Sequence, residues 1–139
     1  MARKKARWVA EDLFSSTWLQ YENKCFYLSH VEKSWDGARL TCENNYGSRL
    51  VEVGSSFEND FLKNEATVYG QSYWLGGSDT QTQGTWMWVS SQTTFTFTDW
   101  FEGEPSSYPL EDCVRMTKPT FKWGDFYCST QYRFICEQK

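Results

Sequence analysis

Five cysteines, with almost no histidine beside them, most constrain what this chain can fold into. They are spread over 139 residues without a Cys-x-x-Cys pair, at Cys25, Cys42, Cys113, Cys128 and Cys136. The single histidine, His30, leaves no Cys/His cluster of the kind that holds structural zinc. The pattern is typical of two disulfides and one spare thiol in an oxidising compartment, and spacing alone leaves the pairing open.

The size and charge of the chain argue against several other classes of protein. With 139 residues, 40% of them hydrophobic and 19% aromatic, the chain is long enough for one domain with its own core. A net charge of −4 disfavours nucleic acid as a partner, because phosphate binding needs a basic field. The sequence contains no run of about 20 apolar residues that could span a bilayer, and no secretory signal peptide is visible.

Residues 1–13 are predicted to form an N-terminal tail, and residues 14–139 a single domain. The tail is first basic and then acidic, without hydrophobic periodicity, and its basic residues are Arg3, Lys4, Lys5 and Arg7. The rest of the chain has helix and strand patterns and no internal repeat. We therefore expect one folded unit preceded by a solvated segment.

Two helices are predicted in the first half of the domain. Ser34 is placed to cap a helix over 35–45. Ser55 and Glu58 match a capping box that begins a second helix, which we expect to end at residues 66–67. The apolar residues expected on the buried face of the second helix are Phe57, Phe61 and Leu62.

The chain after Tyr73 is predicted to consist of strands and loops. Short apolar runs typical of strands occur at 73–76, 86–89, 121–123 and 133–135. Pro105 and Pro109 break any helix and mark a long loop over 99–112, and such a loop is usually functional or disordered. A strand, two helices and then several strands indicate an α+β fold class.

The order of motifs from Trp18 to Lys139 resembles a C-type lectin-like domain. The segments that carry the resemblance are Trp18…Tyr21…Cys25-Phe26-Tyr27, Trp35…Cys42…Leu50-Val51, Tyr73-Trp74-Leu75-Gly76, Trp86-Met87-Trp88, Glu104-Pro105-Ser106 and Trp123-Gly124-Asp125. The resemblance implies an α+β fold in which two helices flank small antiparallel sheets and a long loop binds calcium and sugar. It also implies the disulfides Cys42–Cys136 and Cys113–Cys128, which leaves Cys25 as a free thiol or as the link of a disulfide-bonded homodimer.

The resemblance further implies a calcium site built from oxygen atoms, the ligands that Ca²⁺ prefers. The residues that match the family's metal and sugar ligands are Glu104, Ser106, Glu111 and Asp125. The aromatic residues placed to pack on the apolar face of a sugar ring are Tyr108 and Trp123. Two positions depart from the family pattern: Ser106 replaces an amide or carboxylate, and Gly124 lacks the usual asparagine oxygen. We therefore expect weak calcium affinity.

A second, auxiliary calcium site of the family lies beside the first. Asp79 and Asp112 match its carboxylates, whereas Gln83 stands where a glutamate is common. We expect this site to be weak or empty.

The expected function is calcium-dependent binding of glycans or glycoproteins, with galactose-type hydroxyls slightly favoured over mannose-type. A serine in the Glu-Pro-Ser position occurs among galactose-binding invertebrate members of the family. The alternative is a calcium-independent domain that binds a protein or a mineral surface. The resemblance implies a secreted protein of innate immunity. An enzyme is not expected, because the one histidine lies outside the motifs.

Overall fold

The computed structural model describes residues 18–106 and 108–138. The predicted tail over 1–13 and the predicted start of the domain at residue 14 lie outside this range. The described residues form two helices, α1 (Trp35–Tyr46) and α2 (Ser56–Tyr69). Their strands are β1 (Leu19–Tyr21), β2 (Lys24–Leu28), β3 (Arg49–Leu50), β4 (Tyr73–Ser78), β5 (Met87–Trp88), β6 (Thr93–Thr94), β7 (Cys113–Thr117), β8 (Lys122–Phe126) and β9 (Arg133–Gln138).

Helix α2 begins where the capping signal predicted and ends later than expected. The Ser55 hydroxyl accepts a hydrogen bond from the backbone N–H of Glu58 at 3.2 Å. The helix continues to Tyr69 instead of ending at residues 66–67, because the residue that terminates it in the left-handed conformation is Gly70 (φ 69°). Helix α1 is capped in the same way by Ser34.

The buried face of α2 differs from the predicted face at one position. Leu62 is fully buried, and Phe61 stacks on Tyr21 with ring centroids 4.8 Å apart. Phe57 is 73% exposed, so the prediction that it is buried is wrong. The helix turns Asn59, rather than Phe57, into the interior, because Asn59 lies in phase with Leu62 on the buried stripe.

The strands form one connected sheet in the order β1-β2-β9-β4-β5-β6, with β3 paired to β9 and β7 paired to both β4 and β8. Strands β4 and β9 run parallel, with Tyr73 opposite Arg133. The other strand pairs among the described residues are antiparallel. The α+β class is as predicted, and the parallel pair makes the sheet mixed instead of wholly antiparallel.

Two disulfides join the sheet to its surroundings in the pairing that the resemblance implied. Cys42–Cys136 links α1 to β9, and Cys113–Cys128 links β7 to the turn after β8. Cross-links of this span stabilise a fold by roughly 3–5 kcal/mol each in the chain-entropy model. Cys25 lies on β2, is partly exposed and carries a free thiol.

The long loop is anchored on the sheet at both of its ends. At its start, Trp100 forms a parallel bridge with Trp123 of β8. At its end the chain enters β7, whose Cys113 lies opposite Phe126 of β8. The loop is therefore held over the β7–β8 hairpin, and β8 supplies the surface on which the candidate site is built.

Candidate functional site

Ser106 connects two carboxylates of the predicted site. The Ser106 hydroxyl lies 2.6 Å from Glu111 Oε1 and 3.1 Å from Asp125 Oδ2, and the Ser106 backbone N–H donates to Asp125 Oδ1 at 2.9 Å. A hydroxyl has one hydrogen, so Ser106 donates to only one of the two carboxylates at a time. Asp125, on β8, is 3% exposed. The loop and the strand are therefore joined directly through these three residues.

Glu104 brings a third carboxylate against the same strand. The Glu104–Pro105 peptide bond is cis, and Glu104 Oε1 accepts a hydrogen bond from the Asp125 N–H at 3.4 Å. A Cβ placed on Gly124 would lie 3.6 Å from Glu104 Cδ, which is ordinary van der Waals contact. Burial, together with the adjacent carboxyl of Asp125, raises the pKa of Glu104 to about 7.

The structure thus brings together the four residues that the sequence predicted as metal ligands: Glu104, Ser106, Glu111 and Asp125. All four present oxygen atoms, and three of them are carboxylates, so the donor chemistry fits a hard cation such as Ca²⁺. Among residues 18–106 and 108–138, no three acidic, histidine or cysteine side chains already stand at metal-binding distances. Hydrogen bonds from Ser106 and from backbone N–H groups hold the carboxylates in this arrangement.

The two predicted aromatic residues occupy opposite environments. Tyr108 is 67% exposed on the loop between Ser106 and Glu111, where a ligand can reach its ring. Trp123 is fully buried, and its indole N–H donates to Asn59 Oδ1 at 3.0 Å. The prediction that Trp123 packs on a sugar ring is therefore wrong, because both faces of its ring lie within the core.

Two polar residues beneath the site did not emerge from the sequence analysis. Asn59 of α2 and Asp99 at the start of the loop are joined by a hydrogen bond of 2.8 Å. Asn59 shares the buried stripe of its helix with Leu62 and Ala66. An amide in phase with the apolar residues of a helical stripe is a signal that periodicity analysis can detect, since a buried polar group requires a partner.

At the auxiliary site, a neutral side chain lies beside the two carboxylates. Gln83 Nε2 donates to Asp79 Oδ2 at 3.0 Å and lies 3.4 Å from Asp112 Oδ1. The Gly84 N–H also donates to Asp79 Oδ2, at 2.9 Å. An amide NH₂ cannot ligate a cation, so the pair does not fit calcium while Gln83 points toward it. Burial and the nearby Asp112 raise the pKa of Asp79 to about 6.

The fold and this site define a disulfide-bonded α+β binding domain with a cluster of oxygen ligands on a long loop. Residues 31–138 match the family model described as Lectin C-type domain, and the chain therefore belongs to the C-type lectin domain family. The human protein C-type lectin domain family 17, member A is 40% identical over 88% of this chain. This chain spans 31% of that relative's length.

Solved structures show the same fold. The mouse scavenger receptor C-type lectin carbohydrate-recognition domain has a TM-score of 0.82 and 30% identity, with 88% of this chain and 93% of that chain covered. A calcium-independent type II antifreeze protein has a TM-score of 0.78 and 25% identity, with 89% and 95% covered. C-type lectins are a family of binding proteins rather than enzymes. In the described part of the chain, neither helix has the length and apolar character needed to cross a membrane.

We expect Glu104→Gln to stabilise the calcium-free protein at about pH 8 and to have little effect at about pH 4. Because the folded pKa of Glu104 is about 7 and its ordinary value is 4.5, the native state holds a proton that the unfolded state releases between these values. Wild-type stability is therefore lost as the pH rises through this window, whereas the neutral glutamine does not contribute this loss. Thermal unfolding in chelator at several pH values measures the effect.

The matched control for this experiment is Glu102→Gln, which makes the same change in net charge at an exposed position of the same loop. A difference between Glu104→Gln and the wild type that stays constant with pH would contradict the raised pKa of Glu104.

Proposed function

We propose that this domain binds carbohydrate in a calcium-dependent manner through the loop of residues 104–111 and strand β8. One observation carries the proposal: hydrogen bonds bring together three carboxylates and one hydroxyl, from Glu104, Ser106, Glu111 and Asp125, where the long loop meets strand β8. Oxygen donors on a partly solvated loop are what a calcium ion requires, and they also accept hydrogen bonds from sugar hydroxyls.

In the proposed site, Glu104, Ser106, Glu111 and Asp125 would hold the ion, and their oxygen atoms would also accept hydrogen bonds from the sugar. When bound, the ion would supply coordination to neighbouring hydroxyls of one sugar residue. Before the ion binds, Ser106 orients Glu111 and Asp125 through its hydroxyl and backbone N–H. Tyr108, which is exposed beside them, supplies an aromatic ring for the apolar face of the sugar. Weak binding at one such site is strengthened when several copies act together.

The proposed preference is for galactose-type over mannose-type hydroxyls. It rests on Ser106, which stands where mannose-binding members of the family carry asparagine. A single hydroxyl, already shared between Glu111 and Asp125, offers a sugar less than an asparagine amide, which has a donor and an acceptor at separate atoms. The partners that follow are glycans and glycoproteins.

The second candidate function is calcium-independent binding of a protein or a surface. The observation that favours it is that Ser106 and backbone N–H groups already satisfy the carboxylates without a cation. The similarity to a calcium-independent antifreeze protein shows that this fold can act without the ion. In either case we propose a non-enzymatic protein of an extracellular compartment, since its two disulfides persist in oxidising surroundings.

We expect added calcium to raise the thermal unfolding temperature by several degrees relative to chelator, and galactose to raise it further than mannose does. A ligand that binds only the folded state stabilises it by mass action. Asp125→Asn should abolish both shifts, because it removes a carboxylate at the centre of the ligand set. Asp60→Asn, at an exposed position of α2, is the control for net charge. An unchanged unfolding temperature under every condition would favour the calcium-independent function.

We expect Gly124→Asn to tighten calcium binding by several-fold, since it restores an amide oxygen next to Asp125. A Cβ at this position meets its nearest neighbour, Glu104 Cδ, at 3.6 Å, which is ordinary van der Waals contact, so the first atom of the new side chain does not clash. Calcium titration by calorimetry measures the change, and Gly124→Ala separates the effect of the amide oxygen from that of added bulk. Equal affinity for Asn and Ala at this position would contradict the proposed ligand geometry.

We also propose that Cys25 links two copies of the domain by a disulfide. Cys25 lies on β2 between Gln20 of β1 and Gln138 of β9, and it is partly exposed. We expect a dimer on non-reducing gels that disappears with reductant and in Cys25→Ser. Cys25→Ser should leave the intrachain pairs Cys42–Cys136 and Cys113–Cys128 intact. A wild-type protein that remains monomeric under oxidising conditions would contradict the proposal.

A further inference from the structure

One buried asparagine ties helix α2 to the two segments that form the candidate site. Asn59 is 2% exposed, and both ends of its amide are used. Its Nδ2 donates to Asp99 Oδ2 at 2.8 Å, and its Oδ1 accepts from Trp123 Nε1 at 3.0 Å. Asp99 begins the segment that leads to Glu104, and Trp123 lies on the same strand as Asp125. One residue of α2 therefore contacts both the loop and the strand that carry the candidate ligands.

Two lysines complete the contacts of the Asp99 carboxylate. Lys63 of α2 lies 3.2 Å from Oδ2, and Lys122 of β8 lies 3.1 Å from Oδ1. Burial alone would raise the pKa of Asp99, but the hydrogen bonds from Asn59, Lys122 and Lys63 lower it below its ordinary value. Asp99 is therefore a charged group at neutral pH, held by three side-chain donors from two different elements.

Backbone hydrogen bonds continue from Asp99 to the carboxylates. The Trp123 N–H donates to the Asp99 carbonyl, the Phe101 N–H to the Trp123 carbonyl and the Glu104 N–H to the Phe101 carbonyl, each at 2.8 Å. The Asp125 N–H then donates to Glu104 Oε1 at 3.4 Å. Because each bond fixes the residue that makes the next one, a displacement of Asp99 changes where Glu104 lies.

We infer that Asn59 and Asp99 are positioning residues for Glu104, which hold the segment 99–104 against β8 and so set its carboxylate beside that of Asp125. The inference rests on the proposed function, in which Glu104 and Asp125 are ligands. Two adjacent carboxylates repel each other, so an anchor is needed to keep them together before a cation binds. A site that is held in place in advance loses less conformational freedom on binding.

The experiment compares Asp99→Asn with the wild type by hydrogen exchange in the presence of chelator. We expect exchange in the segment 99–106 to become about tenfold faster, since the variant weakens charge-assisted hydrogen bonds at the base of the loop. Exchange in β2 and β9, which pair with β1, β3, β4 and each other rather than with β8, should not change. The control is Asp60→Asn, which makes the same change in charge at an exposed position of α2.

Calcium titration of the same proteins separates positioning of the site from a purely structural role. A several-fold weaker calcium affinity in Asp99→Asn, with the same stoichiometry and with unchanged exchange in β2 and β9, supports the inference. Exchange in 99–106 that equals that of Asp60→Asn overturns it, whether or not calcium binds. A wild-type protein that takes up no calcium overturns the proposed function instead, and the exchange comparison still decides whether Asn59 and Asp99 order the loop.

A milder variant keeps the test decisive if Asp99→Asn does not fold. Lys63→Gln removes one ion pair of 3.2 Å and leaves the Asn59–Asp99 hydrogen bond in place. We expect the same local increase in exchange with a smaller factor. Uniform acceleration across the whole sheet would show that these residues support the fold in general and would contradict a specific role in positioning Glu104.

Discussion

The Trp123 side chain lies at the centre of an aromatic cluster whose rings meet it nearly edge-on: Trp88, Phe95, Phe97 and Trp100. Its indole N–H is satisfied by Asn59, so the ring is buried without an unpaired polar atom. Burial of a ring this size contributes on the order of 3 kcal/mol or more, as truncation of buried aromatics shows. Since neighbouring residues on a strand occupy fixed relative positions, burial of Trp123 also fixes where Asp125 lies. Trp123 also fixes the position of the long loop, because the first segment of the loop is hydrogen-bonded to the Trp123 backbone.

Above this aromatic cluster, carboxylates of the same charge lie close together in two places. In each place a neutral side chain donates hydrogen bonds to them. At the candidate site, the Ser106 hydroxyl lies between the carboxylates of Glu111 and Asp125. At the auxiliary position, the Gln83 amide lies between those of Asp79 and Asp112. In both places a neutral donor occupies a position where the family resemblance implies an anionic or amide oxygen ligand. Each donor forms hydrogen bonds with the carboxylates in the absence of a cation. A cation that binds these carboxylates would have to replace those hydrogen bonds.

This compensation explains why membership of the C-type lectin family leaves two functions open. A cation that enters the candidate site must gain more from the carboxylates than they lose when the Ser106 bonds are broken. We expect this difference to be small, because the ion would have few charged ligands, as at the weak end of the calcium affinities found in extracellular modules. The position of Glu104 then matters most, because the carboxyl with the raised pKa is the one whose charge a cation would stabilise.

The sequence by itself determined the α+β class, the capped starts of both helices and the positions of several strands along the chain, because local capping groups and apolar periodicity act over a few residues. With the family resemblance, it also indicated both disulfides and the residues Glu104, Ser106, Glu111 and Asp125. Only the tertiary structure decided that Phe57 faces solvent, that Trp123 is buried and that β4 and β9 run parallel. It alone revealed the link from Asn59 to Asp99. These features depend on which distant segments meet, and neither propensity nor spacing specifies such contacts. An aromatic residue suits a buried core and a sugar-binding surface equally well. A buried amide holds two segments together only where the tertiary structure places hydrogen-bond partners beside it.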